Sequence, residues 1–455
     1  MTEAKWWKTI CLSCIYCAAT ASGSPAQVFT TLLNFMGSNG NNPRSSLVQG
    51  PDGNFYGTTA SGGYTRSGTV FKITPSGTLT DLYSFCQNRG KCNDGINPDA
   101  GLVLATDGNF YGTTGSGGPA PVGAGTVFKI TPQGKLTTLY GFCAQKGCAD
   151  GSNPFATLVQ ADDGNFYGTT FEGGANAECY SGVKLGCGTV FQMTPEGKLA
   201  TLYSFCAQPG CTDGAILFSG LVQASDGNFY GTTYVGGASA ACSYGTIVGC
   251  GTVFQITPGG KLTTLYSFCA QTGCVDGALP EAGLVQGPNG NLYGTTLAGG
   301  VNSCGGLEVA PGCGTVFEIT LGGRLTTLHS FAFDTGSRPQ TALFVATDGK
   351  LYGTTSQSGG VNFGGTVFEI TPGGNIALLH SFDDQGLPNG LIQATSGTFY
   401  GTTADGGTLG GACLPYGCGT VFSLSVGLGP YAETVPTSGS VKTRLTILGN
   451  NLTVP

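Results

Sequence analysis

Acidic residues recur at one place in the sequence, each directly before a glycine. They are Asp94, Asp150, Asp213 and Asp276. A ring of such carboxylates could bind Ca²⁺ or the hydroxyl groups of a sugar. The alternative is an Asx-turn, in which the carboxylate accepts hydrogen bonds from loop amides and the glycine takes a positive φ. One carboxylate per loop is too few for a calcium cage, so the sequence favours the turn and predicts no metal or other cofactor.

A second set of candidate ligand-binding residues is aromatic. It comprises Tyr180, Tyr234, Tyr244 and Tyr416, together with Tyr64 and Phe171. All lie in segments of variable length, where their rings could stack on sugars. Both tryptophans, Trp6 and Trp7, stand near the amino terminus. The rest of the chain therefore lacks the best sugar-stacking side chain, which weakens the case for a lectin.

The side chains that most often catalyse reactions are scarce. His329 and His380 replace a tyrosine of a repeated segment, such as Tyr83, so we interpret both as framework residues. No Gly-x-Ser-x-Gly nucleophile elbow has plausible catalytic partners in the sequence. Because glycine is abundant throughout the chain, a match to a glycine-rich phosphate-binding loop carries almost no information. The sequence therefore predicts no catalytic residue. A carboxylate pair supplied by neighbouring loops, as in glycosidases, stays open because the sequence does not show which loops meet.

Apart from Cys11, Cys14 and Cys17, the cysteines form local couples. The couples are Cys86 with Cys92, Cys143 with Cys148, Cys179 with Cys187, Cys206 with Cys211, Cys242 with Cys250, Cys269 with Cys274, Cys304 with Cys313 and Cys413 with Cys418. Each variable segment holds both members of a couple or neither, which is the pattern that disulfide bonding requires. A zinc site is the alternative, and it would need four ligands converging from two couples, usually with closer spacing. The sequence favours disulfides.

Four short segments recur in the same order and must position these residues. Tyr-Gly-Thr-Thr occurs seven times between Tyr56 and Thr403, and Gly-Thr-Val-Phe occurs seven times between Gly68 and Phe422. The other two segments are of the types Leu-Val-Gln and Leu-Thr-Thr-Leu-Tyr-Ser-Phe. All four are rich in β-branched and aromatic residues and are bounded by turn formers, so they predict strands and almost no helix. In repeat order, strand a is Leu-Val-Gln, b Tyr-Gly-Thr-Thr, c Gly-Thr-Val-Phe and d the Leu-Thr-Thr type.

The connections between these strands fall into two classes. The a–b and c–d connections have constant length and contain turn sequences such as Asp107-Gly108-Asn109, so they predict tight hairpins. The b–c and d–a connections vary, carry the cysteines, and must lie together at the opposite edge of each sheet. Four-stranded antiparallel sheets of this kind, arranged as blades in a ring, predict an all-β, seven-bladed β-propeller over residues 27–426. Such a disc has one plain face and one elaborate face.

The order of the segments predicts how the ring closes. The chain begins with a lone strand d, Phe29 to Phe35, and the repeat ends with a strand c, Gly419 to Ser425, that no strand d follows. The seventh blade is complete only if the amino-terminal strand pairs with it, which would also remove exposed edges. An open solenoid is the alternative, but neither end resembles a polar cap.

A glutamine recurs at the end of strand a. It occurs as Gln49, Gln160, Gln223, Gln286 and Gln393. These side chains predict hydrogen bonds between blades, with a polar ring in the central channel as the alternative.

Both ends of the chain differ from the repeat. Lys5 and Lys8 precede a short apolar run and Ala19-Thr20-Ala21, which is the pattern of a signal peptide over residues 1–21. No later apolar stretch is long enough to span a membrane. Residues 429–455 resemble the opening strands of an IPT/TIG immunoglobulin-like domain, and we expect that domain to be truncated.

The charge of the chain limits which classes of molecule it could bind. Only 9% of the residues are charged and the net charge is −7. Nucleic-acid binding needs clustered lysine and arginine, so no nucleic-acid partner is expected.

The repeated unit resembles the GloVer tandem repeat of bacterial surface proteins. The resemblance rests on Gly-Thr-Val-Phe-Lys-Ile-Thr-Pro-x-Gly-x-Leu-Thr-Thr-Leu-Tyr-Ser-Phe and on Asp-Gly-Asn-Phe-Tyr-Gly-Thr-Thr, and it covers residues 29 to 426. It implies an exported protein, often with a carboxy-terminal sorting or anchoring module. It supplies no catalytic residues.

We therefore expect a secreted or cell-surface recognition or scaffold module that is not an enzyme. It would bind an extracellular ligand, a glycan or a protein, through the disulfide-clipped loops of one face. The alternative is a polysaccharide-active hydrolase or lyase on the same scaffold. An enzyme should gather unlike acidic, basic and aromatic residues at one spot, whereas a multivalent binder should repeat similar groups around the ring. The recurrence of Asp-Gly favours the binder.

Overall fold

The computed structural model describes residues 27–435 and 446–449, with gaps at 88–89, 121–122, 177–178, 180–185, 305–311, 358–363, 383–385 and 411–412. The predicted signal peptide (residues 1–21), Tyr180 and most of the segment 429–455 lie outside the described residues. The described strands build seven four-stranded antiparallel sheets. The protein is an all-β, seven-bladed propeller, as the repeat predicts.

Each blade is a meander of strands a, b, c and d. Blade 7 is completed by β1 (Val28–Asn34). Blade 1 contains β2 (Val48–Gln49), β3 (Phe55–Thr59), β4 (Thr69–Ile73) and β5 (Leu79–Ser84); blade 2 contains β6 (Val103–Leu104), β7 (Phe110–Thr114), β8 (Thr126–Ile130) and β9 (Leu136–Gly141); blade 3 contains β10 (Val159–Gln160), β11 (Phe166–Thr170), β12 (Thr189–Met193) and β13 (Leu199–Ser204).

The remaining blades repeat this order with small changes. Blade 4 contains β14 (Val222–Gln223), β15 (Phe229–Thr233), β18 (Thr252–Ile256) and β19 (Leu262–Ser267), with the hairpin β16 (Ser243–Tyr244) and β17 (Ile247–Val248) in its b–c loop; blade 5 contains β20 (Val285–Gln286), β21 (Leu292–Thr296), β22 (Thr315–Ile319) and β23 (Leu325–Ser330); blade 6 contains β24 (Phe344–Val345), β25 (Leu351–Thr355), β26 (Thr366–Ile370) and β27 (Ile376–Ser381); blade 7 contains β28 (Pro388–Gln393), β29 (Phe399–Thr403) and β30 (Thr420–Ser425); β31 (Ala432–Val435) and β32 (Thr446–Gly449) follow. Three short 3₁₀ helices, Lys146–Cys148, Pro209–Cys211 and Thr272–Cys274, lie in d–a loops.

The glycine of strand b sets the spacing inside each blade. A Cβ atom at Gly57 would lie 2.7 Å from the ring of Phe71 on strand c and 2.8 Å from Leu47 beside strand a. A larger residue would collide with that ring, so glycine lets the phenylalanine of strand c pack directly against the backbone of strand b. The whole of strand b is buried in every blade.

Neighbouring blades are joined by aromatic stacking and by hydrogen bonds. Tyr56 of blade 1 stacks on Phe110 of blade 2, with ring centroids 4.1 Å apart. Near the channel, the backbone N–H of Thr106 donates to Oε1 of Gln160 in the next blade at 2.9 Å. Equivalent bonds involve the other recurring glutamines. The predicted role of these glutamines between blades is thereby confirmed.

The amino-terminal strand closes the ring. β1 pairs antiparallel with β30, from Val28 opposite Ser425 to Asn34 opposite Thr420. The interface between blades 7 and 1 has the same aromatic contact as the other interfaces. The ring centroids of Tyr400 and Phe55 lie 4.0 Å apart, as those of Tyr56 and Phe110 lie 4.1 Å apart between blades 1 and 2. The predicted closure is confirmed, and the open solenoid is wrong.

The chain enters and leaves the propeller on the hairpin face, the face that carries the a–b and c–d turns. β1 begins and β30 ends there, because Val28 lies opposite Ser425. Beyond β30, the Tyr431 hydroxyl donates to the carbonyl of Gln393 at 2.8 Å and its N–H donates to the carbonyl of Thr395 at 2.9 Å. β31 and β32 pair antiparallel as a separate two-stranded sheet. In the ranges that the structure describes, no helix is both long and apolar enough to cross a bilayer.

Closure predicts that the amino-terminal strand carries as much stability as an internal strand d. Phe35 is fully buried and stacks edge-on against Phe71, as Phe85 does against Phe128. We expect Phe35→Ala and Phe85→Ala each to lower the free energy of unfolding by about 3–5 kcal/mol, measured by urea denaturation. A loss below about 1 kcal/mol for Phe35→Ala, beside a full loss for Phe85→Ala, would contradict closure.

Candidate functional site

The recurring aspartates are tied into their own loops. Asp150, Asp213 and Asp276 are buried, and Asp94 is partly buried. At Asp213, one carboxylate oxygen accepts from the Tyr203 hydroxyl at 2.8 Å, and the backbone N–H groups of Ala207 and Gln208 donate to the carboxylate at 2.9 and 3.2 Å. The other aspartates accept in the same way. These contacts hold each d–a loop against strand d.

A signal for this contact was present in the sequence. A tyrosine at the fixed position of strand d accompanies an Asp-Gly in the loop that follows, as Tyr203 accompanies Asp213. Where His329 or His380 replaces that tyrosine, the next loop has no Asp-Gly. Burial and the neighbouring carboxylate raise the pKa of Tyr203, so the phenol stays protonated and donates.

The eight couples of cysteines form disulfides in the structure, as the sequence predicts. The bonds join Cys86 to Cys92, Cys143 to Cys148, Cys179 to Cys187, Cys206 to Cys211, Cys242 to Cys250, Cys269 to Cys274, Cys304 to Cys313 and Cys413 to Cys418. Each bond lies within one d–a loop or one b–c loop. None of the eight joins two loops or two blades, so they stiffen the elaborate face locally.

The first and last of these bonds show the two kinds of loop. Cys86 and Cys92 clip the d–a loop after blade 1, and the backbone N–H of Cys86 donates to the Asp94 carboxylate at 2.8 Å. Cys413 and Cys418 clip the b–c loop of blade 7, where both residues are buried. The backbone carbonyl of Cys418 accepts from the N–H of Asn42 at 3.1 Å. The last disulfide therefore lies beside the segment that follows the closing strand β1.

The structure brings together a set of residues that the repeat pattern conceals. In six blades, the residue three positions before the leucine of strand a varies in type. These residues are Arg44, Asp99, Phe155, Phe218, Glu281 and Gln340. Blade 7 is one residue shorter and lacks the position. Strand a is the innermost strand, so these residues surround the axis on the elaborate face. We call them, with Phe171, Tyr234 and Tyr244 of the b–c loops, the channel mouth.

Blades 1 and 2 give the channel mouth an ion pair. Arg44 Nη1 lies 3.4 Å from Asp99 Oδ1, and the aspartate is the more buried partner, with 16% of its side chain exposed against 57% for the arginine. Burial raises the pKa of Asp99, and the positive charge of Arg44 opposes that rise. Because the Arg44 side chain is exposed, the N–H groups of its guanidinium that do not face Asp99 can donate hydrogen bonds to a ligand.

Blades 3 and 4 give the channel mouth a continuous aromatic arc. Phe155 meets Phe171 at 5.5 Å between ring centroids, and Phe171 meets Phe218 at 4.8 Å. Phe218 meets Tyr234 at 5.2 Å, and Tyr234 meets Tyr244 at 6.0 Å. All five rings are only partly buried, so the arc offers an apolar surface to a ligand.

Blades 5 and 6 contribute an acid and an amide. Gln340 Nε2 donates to Glu281 Oε2 at 3.3 Å. Burial raises the pKa of Glu281 to about 7, although the hydrogen bond from Gln340 lowers it somewhat. Burial and then the charge of Glu281 raise the pKa of Tyr234 to about 12. A Cβ atom at Gly251 would lie 2.5 Å from Pro280, the residue before Glu281, and 2.9 Å from the carbonyl oxygen of Tyr234. The segment that carries the acid therefore adjoins the arc.

Small residues line the channel beneath this ring. They are Ser46, Gly101, Thr157, Gly220, Gly283, Ala342 and Gly390. The backbones of consecutive blades touch here, since a Cβ atom at Gly220 would lie 2.5 Å from the carbonyl oxygen of Thr157. Thr157 and Ala342 are exposed. These small side chains therefore face the channel.

The other candidate residues lie in different places. Tyr234 and Tyr244 belong to the channel mouth, whereas Tyr416 lies in the b–c loop of blade 7 with 56% of its surface exposed. Asp94 and Tyr83 border an open cleft of about 470 Å³ against strand d of blade 2. A similar cleft of about 390 Å³ lies between blades 2 and 3, beside Gln145 and Tyr203. Neither the repeat pattern nor any motif of the sequence distinguishes Arg44, Asp99, Phe155, Phe218, Glu281 or Gln340.

The raised pKa of Glu281 predicts a specific dependence of stability on pH. Below the ordinary glutamate pKa the group is protonated in both states, but above pH 7 the folded chain must hold a negative charge at this partly buried position. Stability from this group therefore falls as pH rises through about 4.5 to 7. We expect Glu281→Gln to raise the free energy of unfolding by about 1–3 kcal/mol at about pH 8 and to change it little at about pH 4. Urea denaturation at both pH values measures this.

The exposed Glu196 of a c–d turn is the control. Glu196→Gln should leave stability unchanged at both pH values. An equal effect of the two substitutions, or a gain for Glu281→Gln that is the same at both pH values, would show that Glu281 is not held in a buried site.

Solved structures with the same architecture include two lyases. Virginiamycin B lyase from Staphylococcus aureus, in a catalytically inactive form with quinupristin, superposes with a TM-score of 0.53 at 15% identity, over 88% of this chain and 99% of that one. A streptogramin B lyase gives 0.53 at 14% identity, over 88% and 97%. A gluconolactonase from Xanthomonas campestris gives 0.41 at 12% identity, over 90% and 92%. At these identities the two lyases share the fold alone. No curated protein matches this sequence.

The repeat itself is matched by a family model. The model, described as the Gloeobacter/Verrucomicrobia repeat, aligns with residues 19–247 and again with residues 178–422. These two matches span all seven blades and most of the chain. The protein belongs to the Gloeobacter/Verrucomicrobia repeat family.

Proposed function

We propose that this propeller is an exported recognition module that binds one ligand at the channel mouth. The observation that carries the proposal is the gathering of unlike residues from six blades around one axis. The recurring aspartates, by contrast, are occupied by their own tyrosines and loop amides. A single asymmetric site therefore accounts for the geometry better than a ring of identical sites does.

The chemistry of the channel mouth favours a saccharide as the ligand. A sugar ring has an apolar face, which suits the arc from Phe155 to Tyr244, and hydroxyl groups around its edge. Those hydroxyls find acceptors and donors on either side of the arc, at Asp99 and Arg44 and at Glu281 and Gln340. The disulfides and the aspartate contacts hold the loops in place beforehand, which reduces the ordering cost of binding.

Export is the second part of the proposal. The predicted signal peptide over residues 1–21 and eight disulfides both suit an oxidising compartment. The protein would be secreted or held at the cell surface. Residues 429–455 would begin an IPT/TIG-like domain, and the antiparallel pairing of β31 with β32 is compatible with that.

A polysaccharide hydrolase or lyase is the second candidate. The gathering of acidic, basic and aromatic side chains at the channel mouth is the arrangement that we expect of an enzyme, so it favours this candidate as well as a single binding site. Glu281 has a pKa of about 7, which suits a group that gives up and takes back a proton near neutral pH. Asp99 is a second acid of raised pKa in the same ring. We keep binding as the leading proposal because Arg44 already pairs with Asp99 and Gln340 with Glu281.

Binding at the channel mouth predicts that loss of one arc ring weakens the affinity. The protein would be screened on a glycan array and the best ligand titrated by calorimetry. We expect Phe218→Ala to weaken binding by about tenfold or more, because stacking on an aromatic ring contributes about 1 kcal/mol or more. Tyr416→Ala, which removes an exposed ring on blade 7, should leave the affinity unchanged. If Tyr416→Ala weakens binding and Phe218→Ala does not, the site lies elsewhere.

If the protein is a polysaccharide hydrolase or lyase, it should cleave its ligand and not only bind it. The purified protein would be incubated with the array-positive polysaccharide, and reducing ends and unsaturated products would be measured over time. We expect neither to rise above the level without protein. Release that Glu281→Gln abolishes, while Glu196→Gln retains it, would replace the binding module with an enzyme.

A further inference from the structure

The structure brings the cysteines of two different loops together in blade 4. The Sγ atoms of Cys242 and Cys250, from the b–c loop, and of Cys269 and Cys274, from the d–a loop, all lie within 4.8 Å of one another. Cys242 Sγ is 3.9 Å from Cys269 Sγ, although the two residues belong to different disulfides. Three of the four residues are buried and Cys269 is partly buried.

Blade 3 repeats the arrangement. Cys179, Cys187 and Cys206 form a group of the same dimensions, and Cys211 is bonded to Cys206. Only these two blades carry a couple in both their b–c loop and the d–a loop that follows. The loops of blades 1 and 2 have the d–a couple alone, and those of blades 5 and 7 have the b–c couple alone. Two couples therefore lie side by side in both blades, with four sulfur atoms within 4.8 Å of one another in blade 4 and three in blade 3. We call Cys242, Cys250, Cys269 and Cys274 of blade 4, and Cys179, Cys187, Cys206 and Cys211 of blade 3, the two quartets.

We propose that each quartet binds one Zn²⁺ through four thiolates when its disulfides have been reduced. A tetrahedral zinc site with Zn–S bonds of about 2.3 Å places its sulfur atoms about 3.8 Å apart. In blade 4, Cys242 Sγ and Cys269 Sγ already lie 3.9 Å apart across the two disulfides. Reduction would let the two sulfur atoms of each couple move apart from their bonded distance towards the same separation.

The reductant is a dithiol. Each protein disulfide accepts two electrons and two protons from one dithiol, which itself becomes a disulfide, so a quartet consumes two dithiols. Zinc then replaces the four thiol protons, which are released to solvent.

Zinc and disulfides would stiffen the elaborate face in different ways. Each disulfide closes a single loop, whereas a zinc ion held by all four residues would join the b–c loop of a blade to its d–a loop. In blade 4 the b–c loop carries Tyr244, the last ring of the aromatic arc. An effect of zinc on ligand binding rests on the proposed function, but zinc binding itself does not.

Metal stoichiometry tests the proposal. The full chain would be reduced with dithiothreitol under argon, freed of reductant, exposed to Zn²⁺ and freed of loose metal before elemental analysis; Cd²⁺ would report thiolate ligation through its ultraviolet charge-transfer band. We expect about two zinc ions per chain. The double variant Cys242→Ser with Cys250→Ser should retain about one ion. The control, Cys304→Ser with Cys313→Ser, removes an isolated couple and should still bind two.

Several results would overturn the inference. They are a reduced chain that keeps its β-sheet circular dichroism yet binds no zinc, an equal loss of zinc in the control variant, and a reduced chain that unfolds and is not refolded by zinc. None of these bears on the glycan titration, which uses the oxidised protein. A failure of the zinc site is therefore distinguishable from a failure of the channel mouth.

Discussion

The contact between the glycine of strand b and the phenylalanine of strand c is the constraint on which the propeller depends. In all seven blades a Cβ atom at that glycine would lie 2.5 to 2.7 Å from the phenylalanine ring. The ring fills the space that a side chain would need, and the leucine beside strand a closes over the same glycine. The inner three strands of every blade are therefore held at one spacing. With the frame fixed in this way, the blades differ chiefly in their loops.

The frame could be read from the sequence because its signals are local and repeated. Hairpins of constant length, a missing strand d at the end and a lone one at the start are enough to predict both the blades and the closure by β1. The glutamines between blades could be predicted for the same reason. The coupled occurrence of Tyr203 and Asp213 was equally visible, but it is recognised only when the blades that lack both residues are compared.

The channel mouth could not be predicted in the same manner. The six residues that precede strand a come from six different blades and are separated by about 55 to 65 positions, as Arg44 is from Asp99 and Phe155 from Phe218. The residue type at this position varies among the blades, so an alignment of the repeats gives no sign that the position matters. Their significance depends on which loops face the axis, and only the closed ring establishes that. The convergence of the cysteine couples in blade 4 was hidden for the same reason.

Both ends of the propeller lie on the hairpin face, where β1 starts and β30 finishes and where Tyr431 is bonded to Gln393 and Thr395. A linker, a further domain or a solid support joined at either end is therefore kept on the side away from Phe218 and Glu281. Copies immobilised through their termini would all present the same surface outwards. For a protein displayed on a cell envelope or coated on a sensor chip, this orientation gives diffusing molecules unobstructed access.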